Sequence, residues 1–348
     1  APVYDLEYDP ADEVVVAGTL GNSAWALNME ERDPIDVALV LDKSGSMGDP
    51  ACTGCESKMV VLQDAAELFI QTWQMLSDTD DRIASVFFDS AIDTFSTSGG
   101  DELVTLSGSG DDVISYIRSK TDGGATAMGG GAQTAINLLT DVSRPRSLII
   151  FTDGMQNRDP MIELIAGVYE IRNTGRTGSG VSPTTPPTQL NDALDISVNT
   201  IGVGVTAAYE AELSAISSGT DGLHKSTTNA DADLRRFYIE QLVDTLRDAS
   251  PQLVDYRYAR IGSKKTDTQA FGINVGAKKV VLAISWDRRD AERLPIAVFK
   301  DGKDVTMLAK ERRRGSFYEV ISFDTSSNQK ATGTGTVLSS DGEWEVRV

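Results

Sequence analysis

The sequence predicts an α/β fold, with a doubly wound and mostly parallel sheet, joined to an all-β sandwich. Over residues 34–250, short apolar runs alternate with segments whose apolar residues recur every three or four positions. This pattern is typical of buried parallel strands that alternate with helices. Over residues 251–348 the helical spacing is lost, and short runs are separated by Asp-Gly turns, which favours an antiparallel sandwich. A chain of 348 residues is long enough for both domains.

Within residues 34–250, each strand is predicted from a continuous apolar run and each helix from its spacing. The predicted strands cover residues 36–41, 83–88, 148–151 and 196–205. The predicted helices cover residues 57–76, 111–120, 128–140, 160–172, 207–217 and 232–249. In the first helix Leu62, Phe69 and Trp73 share one face, which we interpret as core. Residues 175–187 are rich in Gly, Ser, Thr and Pro and are expected to form an exposed loop.

The sandwich is predicted from short strands at both ends of the chain. The C-terminal strands cover residues 280–286, 296–299, 317–323, 336–338 and 343–348, with turns at Asp301-Gly302 and Asp341-Gly342. Residues 13–18 and 24–27 are also predicted strands, and they have no obvious partner in the α/β region. We therefore expect a sandwich domain formed by residues 1–33 together with 251–348, into which the α/β domain, residues 34–250, is inserted. The alternative is that residues 1–33 drape over the α/β domain.

The composition excludes several classes of function. Acidic residues number 52 against 32 basic ones, and the net charge of −20 weighs against binding to nucleic acid or to anionic lipid. The single histidine, His224, excludes multi-histidine metal centres and is interpreted as an ordinary residue of an edge strand. No apolar run reaches the roughly 18 residues of a membrane helix. Residues 1–4 lack the features of a leader peptide, so a leader was removed or never present, or the chain is part of a longer protein.

Two further features of the sequence have more than one interpretation. Cys52 and Cys55 lie in a loop, where they form a local structural disulfide, remain free thiols or have a redox role; we favour the disulfide. Residues 310–314 are the one basic cluster, expected as a solvated hairpin or as an electrostatic contact with an acidic surface. Trp286 and Trp344 are expected in the core of the sandwich.

Five oxygen-bearing side chains follow predicted strands or precede a predicted helix. Asp42, Ser44 and Ser46 come directly after the first strand, Thr126 opens the helix behind a Gly-Gly turn, and Asp153 follows the third strand. In an open α/β sheet, ligands bind outside the carboxyl ends of the strands. A set with only oxygen donors suits a hard cation such as Mg²⁺ or Mn²⁺. Taken singly, each of these residues is equally well explained as a helix cap or a turn residue.

Together, the D-x-S-x-S run, the Gly-Gly-x-Thr loop and the apolar strand that ends in Thr-Asp-Gly resemble the von Willebrand factor A domain and its metal-ion-dependent adhesion site (MIDAS). The resemblance covers residues 34–250 and implies a Rossmann-like sheet. It implies that Ser44 and Ser46 bind the metal directly, Thr126 directly or through water, and Asp42 and Asp153 often through water. The family more often has threonine straight after the glycine pair, whereas Ala125 intervenes here, and Thr121 is the fallback.

The resemblance implies a metal-dependent protein-binding or adhesion module of the bacterial secreted or cell-surface type. The cofactor would be Mg²⁺, or Mn²⁺ or Ca²⁺, and the partner a protein that offers an Asp or Glu carboxylate. We expect no enzymatic activity, because Lys43 is the only basic residue in the motif and no paired nucleophile and base is evident. The alternatives are a Mg²⁺-dependent hydrolase or phosphotransferase and a chelatase-type subunit that docks on an AAA+ ATPase.

Overall fold

The computed structural model describes ten stretches of the chain: residues 16–18, 24–26, 33–77, 80–246, 268–272, 279–286, 295–316, 318–326, 338–339 and 342–348. Two compact units make up the chain. One is Asp33–Thr245, and the other combines Ala1–Arg32 with Leu246–Val348. That residues 1–33 complete a sandwich into which the α/β domain is inserted stays a prediction.

The helices and strands of the first described segments and of the α/β unit follow in chain order. They are β1 (Val16–Gly18), β2 (Ala24–Ala26), β3 (Asp36–Asp42), α1 (Lys58–Leu76), β4 (Arg82–Phe88), β5 (Ile92–Thr94), β6 (Val104–Thr105), α2 (Leu106–Arg118), α3 (Met128–Leu138), β7 (Arg146–Thr152), β8 (Met161–Ile165), β9 (Val168–Arg172), β10 (Thr188–Leu190), β11 (Ser197–Val203), α4 (Ala207–Ser218), β12 (His224–Thr227) and α5 (Ala230–Thr245). Strands β1 and β2 pair with each other in antiparallel fashion.

The α/β unit has a seven-stranded sheet in the order β12-β11-β7-β3-β4-β5, with β6 also paired to β4. The five strands from β12 to β4 run parallel, and only β5 and β6 are antiparallel. Every residue of β3 is buried, because helices cover both faces of the sheet. Ala38 and Val40 of β3 share a hydrophobic cluster with Met128 of α3 and Leu213 of α4. The predicted fold class is confirmed.

Helix α1 begins at Lys58, one residue after the predicted start, and Ser57 is its N-cap. Ser57 accepts a hydrogen bond from the backbone N–H of Val60 at 3.3 Å. Phe69 and Trp73 are fully buried, and the Trp73 indole donates to Asp81 at 2.8 Å, which confirms their assignment to the core. Among the described residues, no helix combines the length and the apolar character that crossing a membrane requires.

The prediction of a helix over residues 160–172 is wrong. The segment forms a hairpin of β8 and β9, which β10 extends to a three-stranded antiparallel sheet. Ile162 pairs with Ile171, and both are buried, because directly opposed residues of an antiparallel pair lie on the same face. Ala166 and Gly167 both have positive φ, 50° and 91°, as a two-residue hairpin turn requires.

Smaller differences concern the ends of elements. Helix α2 begins at Leu106, five residues before the predicted start, and β5 and β6 lie in a stretch that was expected to be a loop. Residues 175–187 contain no named helix or strand, as predicted. Helix α5 ends at Thr245, and the last part of the predicted helix, residues 247–249, lies outside the described residues.

The C-terminal part of the other unit consists of strands with a common core, paired in antiparallel fashion except for β18 and β19, which run parallel. They are β13 (Thr268–Gly272), β14 (Lys279–Ser285), β15 (Ala297–Lys300), β16 (Lys303–Asp304), β17 (Glu311–Arg314), β18 (Tyr318–Ser326), β19 (Leu338–Ser339) and β20 (Glu343–Arg347). One sheet has the order β13-β20-β15-β16, and the other has β14-β18-β17 with β19 beside β18. Leu282 and Phe323 of one sheet share a hydrophobic cluster with Val298 and Trp344 of the other, which is the packing of a β-sandwich.

Other predictions for this unit concern single residues. Trp286 and Trp344 are buried in its core, as expected. Asp301 and Gly302 have φ of 48° and 73° at the predicted turn between β15 and β16. The basic cluster lies on β17, where Arg312 and Arg314 both pair with Glu319 of β18. The predicted turn residue Asp341 lies outside the described residues.

Candidate metal centre

The site is built at the carboxyl ends of the adjacent parallel strands β3 and β7. Asp42 is the last residue of β3, and its carboxylate is wholly buried. One oxygen accepts the backbone N–H of Ser44 at 2.7 Å, and the other accepts the hydroxyl of Thr152, the last residue of β7, at 2.8 Å. Both oxygens are therefore held in fixed directions before any ligand arrives.

Ser44, Ser46 and Asp153 form a second part of the same network. After Ser44 the chain enters a single 3₁₀ turn, Gly45–Gly48, which brings Ser46 back toward the strand ends. The Ser46 hydroxyl donates to Asp153 at 2.7 Å, and the Ser44 and Ser46 hydroxyl oxygens lie 3.3 Å apart. Four of the five residues predicted from the sequence are thus brought together by hydrogen bonds.

Thr126 lies on the neighbouring loop between α2 and α3. The loop is fastened to the segment after β3, because Gly45 N–H donates to the Gly124 carbonyl at 3.2 Å and Gly123 N–H donates to the Lys43 carbonyl at 2.8 Å. Gly124 has φ of 79°, and an added Cβ would lie 2.9 Å from the Ser90 hydroxyl, so glycine is required there. Among the described hydrogen bonds, none joins the Thr126 hydroxyl to the other four side chains.

A side chain that sequence reasoning missed positions Thr126. Asn157 accepts the backbone N–H of Thr126 through its amide oxygen at 2.9 Å, and its own backbone N–H donates to the Thr126 carbonyl at 2.9 Å. Thr126 is buried, whereas Thr121, the fallback, is exposed. The loop after β7 therefore carries Asp153 and also holds the loop of Thr126, which no local motif in the sequence indicates.

The electrostatics of the site fit a cation. The pKa of Asp42 is raised from the usual 3.8 to about 7, because burial and, to a smaller extent, the charge of Asp153 outweigh the hydrogen bonds from Ser44 and Thr152, which lower it. Among the described residues, Asp42 has no cationic partner, and Asp153 has one, Lys58, whose ammonium lies 2.8 Å from Asp153. Two buried carboxylates against one ammonium leave net negative charge, which a divalent cation would neutralise.

Lys58 is the second residue that sequence reasoning missed. It is the first residue of α1, directly after the cap at Ser57, and its ammonium also lies 3.4 Å from the Ser46 carbonyl. A lysine at a helix start is an unremarkable feature of a sequence, and only the packing of α1 places it at Asp153. Lys43, the one basic residue inside the motif, instead pairs with Asp89 at 2.5 Å and Asp93 at 3.2 Å.

The donor set itself also fits a hard cation. It consists of three hydroxyls and two carboxylates, with no nitrogen or sulfur ligand. Within the part of the chain that the structure describes, no cluster of three or more His, Cys, Asp or Glu side chains offers a competing metal site.

A disulfide between Cys52 and Cys55 confirms the favoured interpretation of the cysteines; their Cα atoms lie 5.0 Å apart. The loop around it is closed by backbone hydrogen bonds from Ala51 to Glu56 at 2.8 Å and from Lys58 to Asp49 at 2.9 Å. Both bonds fix the segment that connects Ser46 to Lys58. The disulfide therefore belongs to the rim of the candidate site.

Comparisons with known proteins agree with this description. The family model described as von Willebrand factor type A domain matches residues 36–244. Among solved structures, the pilus adhesin SpaC from Lactobacillus rhamnosus GG superposes with a TM-score of 0.50 at 14% identity, over 98% of this chain and 44% of that one. The chain thus spans less than half the length of SpaC. A search of the curated proteins found no match.

Two further solved structures are more distant. The PilB minor pilin from Streptococcus sanguinis has a TM-score of 0.48 at 16% identity, over 68% of this chain and 78% of that one. Proximal thread matrix protein 1 from the mussel byssus, a structure with a zinc-occupied MIDAS motif, has a TM-score of 0.41 at 16% identity, over 66% of this chain and 50% of that one.

Proposed function

Because the chain belongs to the von Willebrand factor type A domain family, we propose that it is an adhesion or protein-binding module whose attachment depends on a divalent metal. The observation that carries the proposal is the network that joins Asp42, Ser44, Ser46 and Asp153 across two strand ends. The fold shared with the SpaC pilus adhesin supports the adhesive class.

In this proposal Asp42, Ser44, Ser46, Thr126 and Asp153 form the MIDAS and hold Mg²⁺, or Mn²⁺ or Ca²⁺. A cation bound there supplies positive charge to which an Asp or Glu carboxylate of a partner protein can attach. The chain's own residues provide the preorganisation: Asp42 is fixed by Ser44 and Thr152, and Asp153 by Ser46. On a chain with a net charge of −20, this positive charge is what would let a carboxylate approach.

The same geometry supports the expectation that the chain is not an enzyme. The two lysines at the motif are both engaged in ion pairs, Lys43 with Asp89 and Asp93 and Lys58 with Asp153, and His224 lies on β12 at the edge of the sheet. No observation favours the hydrolase or phosphotransferase alternative, or the chelatase-type subunit. A secreted or cell-surface location is supported by the Cys52–Cys55 disulfide, which an oxidising compartment favours.

Calorimetric titration with Mn²⁺ and Mg²⁺ tests the proposal. We expect one site in the native chain and at least a hundredfold weaker binding in Asp153→Asn, because the variant removes one of the two buried charges. The exposed Asp192→Asn serves as the matched control and should bind as the native chain does. Equal affinity of Asp153→Asn and Asp192→Asn would show that the cation does not bind at this network.

A further inference from the structure

A groove of about 620 Å³ lies in the α/β unit between α4 and the β8–β9 hairpin. Met155 and Leu164 line it with apolar surface, and they are 63% and 57% exposed. The buried Tyr209 of α4 also lines it. Exposed apolar side chains beside a concave surface mark an interaction site more often than a structural one.

Two glutamates give the groove its charge. Glu163 of β8 and Glu212 of α4 are both half-buried, and no lysine or arginine is among the residues that line the groove. Neither carboxylate has an ion pair within the described part of the chain. Both carboxylates line the same groove, where burial raises the pKa of Glu212 and the charge of Glu163 raises it further.

One residue that lines the groove lies close to the candidate metal site along the chain. Met155 is two residues after Asp153, a separation of at most about 7 Å along the chain. The next residue, Gln156, fastens this loop to β8, because its amide donates to the Ile162 carbonyl at 2.5 Å and accepts the Ile162 N–H at 2.8 Å. A ligand segment of a few residues can therefore reach both the candidate metal site and the groove.

We propose that the groove binds a lysine or arginine of the same partner segment whose carboxylate attaches at the metal site. The aliphatic stem of the basic side chain lies on Met155 and Leu164, and its cation lies between Glu163 and Glu212. This inference rests on the proposed function, and it specifies the partner: a protein segment that carries an acidic residue and, nearby, a basic one. A purely acidic segment would meet repulsion from the two glutamates.

A random dodecapeptide library displayed on phage tests separately the attachment of a carboxylate at the metal site and the binding of a basic side chain in the groove. The baits are the native chain, the double variant Glu163→Gln/Glu212→Gln, and the control Glu102→Gln/Asp112→Asn, which removes the same two charges at residues that do not line the groove, one in α2 and one shortly before it. Selection is carried out in Mg²⁺ and in excess EDTA. The selected peptide and its Gln-for-Lys/Arg version are then synthesised and titrated against each bait.

In Mg²⁺ we expect peptides with both an acidic and a basic residue from the native chain and from the control. Peptides selected by the double variant should still contain the acidic residue but show no preference for a basic one. The native chain should bind the basic peptide about tenfold more tightly than its Gln version, and the double variant should bind the two about equally. A basic preference that survives in the double variant, or is missing from the native chain, would overturn the groove proposal alone. Selection unaffected by EDTA, or no selection at all, would overturn the proposed function and the groove proposal with it.

Discussion

At the scale of single residues, the candidate site is governed by a competition for Asp153. Its carboxylate accepts the Ser46 hydroxyl on one oxygen and the Lys58 ammonium on the other. Lys58 therefore neutralises part of the charge that would attract a divalent cation, and it does so from the first residue of α1. A cation bound at Asp153 must share this carboxylate with Lys58 or displace it, and the ammonium repels a second positive charge at close range.

We predict that Lys58→Met tightens Mg²⁺ binding by about tenfold, which corresponds to about 1.4 kcal/mol. The methionine keeps the length of the side chain and removes its charge. Calorimetric titration measures the change, and Lys58→Arg, which keeps the charge, should bind Mg²⁺ much as the native chain does. Weaker binding in Lys58→Met would mean that Lys58 organises the site instead of competing for it.

The single histidine provides a second observation at this scale. His224 Nδ1 lies 2.8 Å from the Thr200 hydroxyl, and its buried Nε2 has no hydrogen-bond partner among the residues that the structure describes. Burial lowers the pKa of His224 below 6.5, because the charged form loses its hydration; the charge of Glu210 opposes this fall and the charge of Lys225 adds to it. Since the unfolded chain binds this proton more readily, His224 contributes stability above about pH 6.5 that is lost as the pH falls through its folded pKa.

We predict that the Hε1 resonance of His224 titrates below pH 6.5 in the folded protein and returns to about 6.5 in concentrated urea. With one histidine in the chain, the resonance requires no assignment. The denaturant midpoint should fall on acidification from pH 7 toward the folded pKa, and His224→Gln should lack this part of the decrease. A midpoint of the Hε1 titration above pH 6.5 in the folded protein would contradict the burial of Nε2.

At the scale of elements, the segment after β7 shows why the sequence pattern of residues 160–172 wrongly predicted a helix. Residues 160–172 have apolar positions that satisfy both a helical and an alternating template, and the chain forms β8 and β9. What decides is the neighbouring helix: α3 carries Gly129 at its contact with this segment, and an added Cβ would lie only 2.4 Å from the Pro160 carbonyl. The backbone before β8 therefore packs directly on α3. A helix over residues 160–172 could not bring its backbone so close, because side chains project from every side of a helix.

We predict that Gly129→Ala destabilises the protein by about 1–3 kcal/mol, because the clash is with backbone that cannot rotate away. The matched control is Gly108→Ala in α2, whose added Cβ would meet only the Thr105 hydroxyl, which can rotate. In that exposed position the substitution should be neutral or stabilise by up to about 1 kcal/mol. Urea unfolding of both variants measures the difference, and equal effects would contradict the close approach of α3 and β8.

At the scale of the whole molecule, the net charge of −20 and the candidate site act on stability in different ways. Any salt screens the repulsion among surface carboxylates. A cation that binds a folded site stabilises by mass action and depends on the two buried carboxylates, Asp42 and Asp153. The two effects can be separated because only the second requires a divalent ion at low concentration.

We predict that Mg²⁺ at ten times its dissociation constant stabilises the native chain by about 1.4 kcal/mol. For a domain of this size the melting temperature should rise by about 3–6 °C. NaCl at matched ionic strength provides the baseline, and Asp153→Asn should follow this baseline in both salts. A Mg²⁺ effect that persists in Asp153→Asn would assign the stabilisation to general screening.

The sequence by itself determined the elements whose signal is local. The strand β3, the helix α1 and the Asp301-Gly302 turn are each decided by neighbours in the chain, and each lies within one residue of where it was predicted. The order of Asp42, Ser44 and Ser46 after a buried strand also indicated the candidate site, because parallel strands end at one edge of a sheet.

Tertiary structure alone decided what depends on residues far apart in sequence. Lys58 reaches Asp153 across 95 positions, and Asn157 reaches Thr126 across 31, and neither contact has a local signature. The choice of strand over helix after β7 likewise depends on the close approach of Gly129 to Pro160. Short-range patterns specify how a segment folds where only one period fits its residues, whereas the choice between two fitting periods and the charge balance of a site are set by the side chains and backbone that the packing brings together.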